Sequence, residues 1–164
     1  MPKKRNRTFV IIGLGTVGST VATDLARNGN HVMGIDIDEK PVAALSDILS
    51  EAIIADGRDE EVLREVGVDK YDVALIAIGD NLEANLLCTM NVKMLGVKTV
   101  WVKAINKTHH RILTKLEPDR IILPEQEIGT DFIDCQTGSV TMAENDKILI
   151  LGRRENLRDF SDGV

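Results

Sequence analysis

The sequence predicts a doubly wound α/β fold built on a six-stranded parallel sheet. Three observations predict it. From Thr8 onward, short aliphatic runs alternate with amphipathic stretches, and the pattern repeats six times. The interior must be filled by Val, Ile, Leu and Ala, because aromatic residues make up only 3% of a chain that is 43% apolar, and buried parallel strands favour such side chains. The 164 residues supply one core and little more.

The predicted strands are Thr8–Ile12, His31–Asp36, Glu51–Ala55, Asp72–Ile78, Lys98–Ala104 and Arg120–Leu123. Between them, apolar residues recur at helical spacing: Val17, Val21 and Leu25 in the first helix, and Leu82, Leu86, Met90 and Met94 in the fourth. Both stripes are expected to face the core. Gly29 and Gly96 stand where helices should stop, Asp38, Asp59 and Asp80 where they should be capped, and Pro41 early in its helix, where a missing N–H costs little. Right-handed crossovers then favour the Rossmann-like strand order 3-2-1-4-5-6.

Gly13-Leu14-Gly15-Thr16-Val17-Gly18 follows an apolar strand directly and opens an amphipathic helix, which is the context a dinucleotide-binding GxGxxG requires. Gly13 permits the tight turn, and Gly15 lets a pyrophosphate approach the backbone. Gly18 allows the helix to pack closely on the sheet, while free N–H groups at the helix start meet anionic oxygens. The second strand ends at Asp36, where a carboxylate accepts hydrogen bonds from ribose hydroxyls and repels a 2′-phosphate, so NADP is disfavoured. Ile37 and Asp38 follow; Asp38 is placed both to assist and to cap a helix.

Asp56-Gly57 and Ile78-Gly79-Asp80-Asn81 lie at strand C-terminal ends, where open α/β sheets bind ligands. Asp56 is expected to meet an adenine amino group, and Ala77, Ile78 and Gly79 to form the floor. Asn81 is placed equally well to cap a helix or to touch the ligand, and Lys103 ends a strand at the edge of the same cleft. His109 and His110, on a polar helix start with no discernible carboxylate partner, read as surface or subunit-contact residues rather than catalysts. With no acid or base placed beside a substrate, the sequence points away from an enzyme.

Composition narrows the function classes. A net charge of −6 and a pI near 5.1 oppose nucleic-acid binding, and the basic opening Lys3, Lys4, Arg5, Arg7 reads as a solvated leader. No apolar run approaches the roughly 20 residues of a membrane span and no signal-peptide pattern precedes the first strand, so a cytoplasmic chain is expected. Cys88 and Cys135 stand apart, without metal-ligand spacing, and are expected to be buried thiols.

Taken in order, the glycine loop, Gly34-Ile35-Asp36-Ile37-Asp38, Ala55-Asp56-Gly57, Ala77-Ile78-Gly79 and Trp101-Val102-Lys103-Ala104 resemble the RCK (KTN, or TrkA-N) family. That family comprises nucleotide-binding domains of Ktr and Trk potassium-uptake regulatory subunits. The stretch Asn106 to Glu125, with His109-His110, Pro118-Asp119-Arg120 and Leu123-Pro124-Glu125, is similar to the Ktr branch. The resemblance covers about Thr8 to Gly129 and implies a site for NAD(H) or for ATP, ADP or AMP. By the same resemblance Asp36 holds ribose, Asp56 lies by adenine, Gly15 and Gly79 lie by the phosphates, and Glu125 contributes to the ligand or subunit boundary.

It also implies a homodimer or higher ring, attached to a membrane-embedded potassium channel or transporter subunit whose gating follows the ligand. Two departures stand out. Thr16 occupies a position where many Ktr-type members carry Arg. After the domain at 1–129, the piece at 130–164 offers only Thr141 to Gly152 as a likeness to the closing strand of the family's C-terminal domain, so a shortened paralogue or an internally deleted product is expected. By the same resemblance, Asn106 to Leu116 and Glu125 to Cys135 are the expected subunit contacts, and the helical spacing of Ile128, Phe132 and Ile133 gives the latter an apolar face. A small NAD-dependent oxidoreductase and a passive nucleotide-binding scaffold are the competing readings.

Overall fold

The computed structural model describes residues 7–123. The strands β1 (Thr8–Ile12), β2 (His31–Asp36), β3 (Glu51–Ile54), β4 (Val73–Ile76), β5 (Thr99–Lys103) and β6 (Arg120–Ile122) form one sheet in the order β3-β2-β1-β4-β5-β6, parallel throughout. The predicted topology is therefore the observed one. The helices α1 (Thr16–Arg27), α2 (Glu39–Leu45), α3 (Glu60–Glu65), α4 (Leu82–Met94) and α5 (Lys107–Leu116) make the crossovers, with a turn of 3-10 helix at Val68–Lys70.

Position in the sheet explains the burial of each strand. Central β1 is covered on both faces, so Phe9, Val10, Ile11 and Ile12 are all buried, as are the four residues of β4. Each of these Val, Leu, Ile or Phe side chains removed from water contributes about 1.5–3 kcal/mol, and Ala74 less. The edge strand β3, paired on one side, leaves Glu51 and Ile54 exposed. Strand β4 is shorter than the predicted Asp72–Ile78, because past Ile76 the chain leaves the sheet to form the floor of a cleft. There the Ile78 carbonyl accepts from the Asn85 side chain at 2.8 Å.

The starts of α2, α3, α4 and α5 are fixed by side-chain caps, each worth about 1 kcal/mol. Asp38 accepts from the Lys40 N–H at 3.0 Å, Asp59 from those of Glu61 and Val62, and Asn106 from that of His109 at 2.8 Å. The third expected cap moves by one residue: Asn81, not Asp80, accepts from the Ala84 N–H at 2.9 Å. Gly29 and Gly96 both follow a helix end with φ of +81°, as helix-stopping glycines should.

Helix α4 overturns the expected core stripe. Leu82, Met90 and Met94 are exposed, Met94 to 64%, while Asn85, Cys88, Thr89, Asn91 and Val92 face inward. The physical reason lies in unpaired carbonyls beneath the helix. Asn85 Nδ2 donates to the carbonyls of Ile78 and Lys103 at 2.8 and 3.0 Å, and Asn91 Nδ2 donates to that of Arg58 at 2.8 Å. An apolar residue at either position would strand buried acceptors. Cys88 is fully buried as expected, and burial pushes its thiol well above the usual range; Cys135 lies outside the described residues.

His109 is likewise corrected from surface to core. Its ring is fully enclosed, Nδ1 accepts from the Ile105 N–H at 3.0 Å, and Nε2 has no partner among the described residues. Because Nδ1 is an acceptor, the proton of the neutral ring sits on Nε2. Burial holds the pKa below the ordinary 6.5. Below that value the unfolded chain gains a proton that the folded state resists, so stability must fall from pH 6.5 downward to the folded pKa. Urea midpoints measured between about pH 5 and pH 7 should show this slope. His109→Asn, which keeps an acceptor near the Nδ1 position and cannot titrate, should flatten it; an unchanged slope would assign the dependence elsewhere.

Candidate functional site

The cleft opens at the C-terminal ends of the strands, where the sheet reverses its winding between β1 and β4. β1 ends at Ile12 and the chain turns at Gly13, whose φ of +95° suits glycine and whose N–H donates to the Ile35 carbonyl at 2.8 Å. A Cβ at Gly18 would lie 1.8 Å from the Gly13 oxygen, so α1 packs directly against the turn before it. Gly15 is the N-cap of α1 and supplies no side-chain cap, and a Cβ built on it meets nothing within 4 Å. Helix α1 thus presents its N-terminus, with the partial positive end of its dipole, to open space.

Asp36 closes β2 and ties the loop together. One carboxylate oxygen accepts from the Leu14 N–H at 2.7 Å and the other from the Asp38 N–H at 2.8 Å. Each oxygen keeps a lone pair at the mouth, which is what a ribose diol needs.

Beyond β3, Asp56 is clasped by Arg58. Its oxygens receive the Arg58 backbone N–H at 2.9 Å, Nε at 2.9 and 3.1 Å, and Nη2 at 2.7 Å. That hydrogen-bonded guanidinium holds the Asp56 carboxyl below the usual carboxylate range. Across the floor, Lys103 at the end of β5 reaches over Gly79, where a Cβ would lie 2.7 Å from Nζ. Among the described residues, the Lys103 ammonium enters no ion pair.

The cleft encloses about 740 Å³. Its walls bring together Gly13, Leu14, Gly15, Thr16 and Val17 with Asp36, Ile37 and Asp38, and on the far side Asp56, Gly57, Ala77, Ile78, Gly79, Asn81 and Lys103. Of the residues expected at the site, Gly18 sits beneath the loop rather than in the wall, and Glu125 lies outside the described residues. Sequence reasoning missed Arg58 and gave Asp80 a cap's role only; both stand in the wall. The available signal for Arg58 was its place two residues after Asp56, within side-chain reach of that carboxylate.

A second groove, of about 480 Å³ between α1 and α2, has no glycine and no strand end in its lining. No group of three or more His, Cys, Asp or Glu side chains forms a metal site among the described residues.

The architecture has a known counterpart. Residues 9–124 match the model of the TrkA-N domain. The chain belongs to the TrkA-N domain family. It is 37% identical over 129 residues to the Ktr system potassium uptake protein A of Bacillus subtilis, covering 79% of this chain and 58% of that protein. It is 40% identical over 123 residues to the Ktr system potassium uptake protein C of the same organism, covering 75% and 56%. The chain therefore spans little more than half the length of these curated relatives.

Among solved structures, the TrkA-N domain of inner membrane protein ybaL from Escherichia coli superposes with a TM-score of 0.68 at 14% identity, over 80% of this chain and 98% of that one. A GsuK channel bound to NAD gives 0.64 at 12%, over 78% and 23%. At such identities the likeness is one of fold. No helix of the described TrkA-N domain is long and apolar enough to cross a membrane.

Proposed function

We infer that this TrkA-N domain is the nucleotide-sensing unit of a potassium-uptake system, binding NAD(H) or an adenine nucleotide and passing its occupancy to a membrane-embedded potassium channel or transporter subunit. The observation that carries the reading is the uncapped N-terminus of α1 above Gly15, with Asp36 at the adjoining strand end. Pyrophosphate then lies on the α1 N–H groups and ribose on Asp36, with Lys103 and Gly79 beside the phosphates. Relatives named as Ktr potassium uptake proteins, and GsuK structures bound to NAD and to ADP, support the same ligand class and role.

The domain binds its ligand without turning it over, and works in the cytoplasm at the inner face of the membrane. It self-associates as a homodimer or larger ring; the exposed Leu82, Met90 and Met94 of α4, with Ile112 of α5, are apolar surface suited to a subunit contact. Residues 1–129 form the sensing domain in this reading, with Glu125 at its boundary.

Calorimetric titration tests the ligand assignment. NADH should bind at least about ten-fold more tightly than NADPH, because a 2′-phosphate would meet the Asp36 carboxylate. Asp36→Asn should narrow that gap. Tighter binding of NADPH by the unaltered chain would refute the role given to Asp36.

A further inference from the structure

The Asp56–Arg58 pair occupies the wall of the cleft where the base of a bound nucleotide must lie, beyond the ribose carboxylate Asp36. Its geometry is unlike that of an edge-reading group. Asp56 already receives three N–H groups of Arg58, so little of its acceptor capacity remains for an exocyclic amine. Arg58 gains what a free arginine lacks: its guanidinium is gripped along one edge by the carboxylate, which orients its plane.

Ile37 offers a second surface in the same cleft. It is the first residue after β2, and it is 63% exposed, unusual for isoleucine. Strands β2 and β3 are paired in register, Asp36 beside Ile54, so Ile37 and the Asp56–Arg58 turn emerge from neighbouring strand ends. An exposed aliphatic side chain and a fixed guanidinium at one end of a cleft are the two leaves that a flat heteroaromatic ring fills.

We propose that the Arg58 guanidinium, positioned by Asp56, and the Ile37 side chain clasp a purine between them, so that the site selects the base by its stacking faces and not by its amino group. The inference rests on the nucleotide-binding reading above and deepens it: the ligand class is a purine nucleoside diphosphate, alone or as half of a dinucleotide. Asp56 acts through Arg58 as a positioning residue.

The test is calorimetric titration of the chain with ADP, with inosine diphosphate, which lacks the amine, and with inorganic pyrophosphate, which lacks the base. ADP and inosine diphosphate should bind within about three-fold of each other. Arg58→Ala should weaken both by about ten-fold and leave pyrophosphate unchanged. Arg58→Lys should not restore the loss, since an ammonium offers no planar face, and Asp56→Asn should fall between wild type and Arg58→Ala. Urea midpoints of the variants establish that each is folded.

Inosine diphosphate binding ten-fold or more weakly, with Asp56→Asn erasing the difference, would overturn the proposal in favour of direct amine recognition by Asp56. An equal loss of pyrophosphate affinity in Arg58→Ala would make Arg58 a phosphate ligand instead, and wild-type affinity in that variant would remove it from the site. If the unaltered chain binds neither ADP nor NADH, the nucleotide reading itself fails and the proposal falls with it.

Discussion

Gly15→Val is expected to abolish binding of NADH and of ADP, a loss of about 100-fold or more, while leaving the domain folded. The residue lies at the N-cap of α1 with a φ of −68° and ψ of −162°, extended backbone with the negative φ open to residues other than glycine. Nothing stands within 4 Å of its Cβ position, so the unliganded domain should change in stability by less than about 1 kcal/mol. The added methyl groups instead fill the space from which a pyrophosphate reaches the helix N–H groups. Charge-assisted hydrogen bonds contribute about 1.5–3 kcal/mol each, so losing two of them accounts for the expected factor. Titration calorimetry beside thermal melting checks both halves. In cells whose potassium uptake depends on this chain, the same variant should make uptake indifferent to nucleotide. Retained binding would place the phosphates elsewhere.

Gly18→Ala should do the opposite, failing in the fold before it fails in the site. Its Cβ would stand 1.8 Å from the Gly13 oxygen and 3.2 Å from the Ala77 Cβ, and the first of these is backbone that no rotamer can move. Relief requires α1 to lift from the sheet or the glycine turn to distort, at a cost of about 3 kcal/mol or more, a large part of the 5–15 kcal/mol that holds a domain together. Urea unfolding should show a markedly lower midpoint, and a midpoint within experimental error of wild type would contradict the close packing of α1 on the turn. The two glycines of one motif thus separate: Gly15 leaves room for a ligand, and Gly18 leaves room for the protein itself.

The strands and their order were legible because each buried parallel strand must be an unbroken aliphatic run, and GxGxxG directly after one of them fixes where the sheet changes direction. The face of α4 was not. Apolar periodicity reports burial only where the inward surface is apolar, and here the inward surface includes the carbonyls of Ile78, Lys103 and Arg58, which require Asn85 and Asn91. His109 was misread for the same reason, since its buried partner is a backbone N–H invisible to composition. The cleft residues were found through strand ends and glycines, whereas the Asp56–Arg58 clasp depends on a local side-chain geometry that spacing alone does not reveal.

Asn85 ties two strand ends together. Its amide bridges the ends of two adjacent strands, holding the Ile78 carbonyl on β4's exit and the Lys103 carbonyl at the end of β5. The helix it belongs to runs for 13 residues, a rod about 20 Å long, and Asn85 sits in its first turn, at the end nearer the cleft floor. A change in the spacing of those two strand ends moves the root of the rod. The far end carries Met90 and Met94 in the open. Asn91, towards that far end, donates to the Arg58 carbonyl, so the rod is a strut pinned at the cleft floor by one asparagine and at the Arg58 turn by the other.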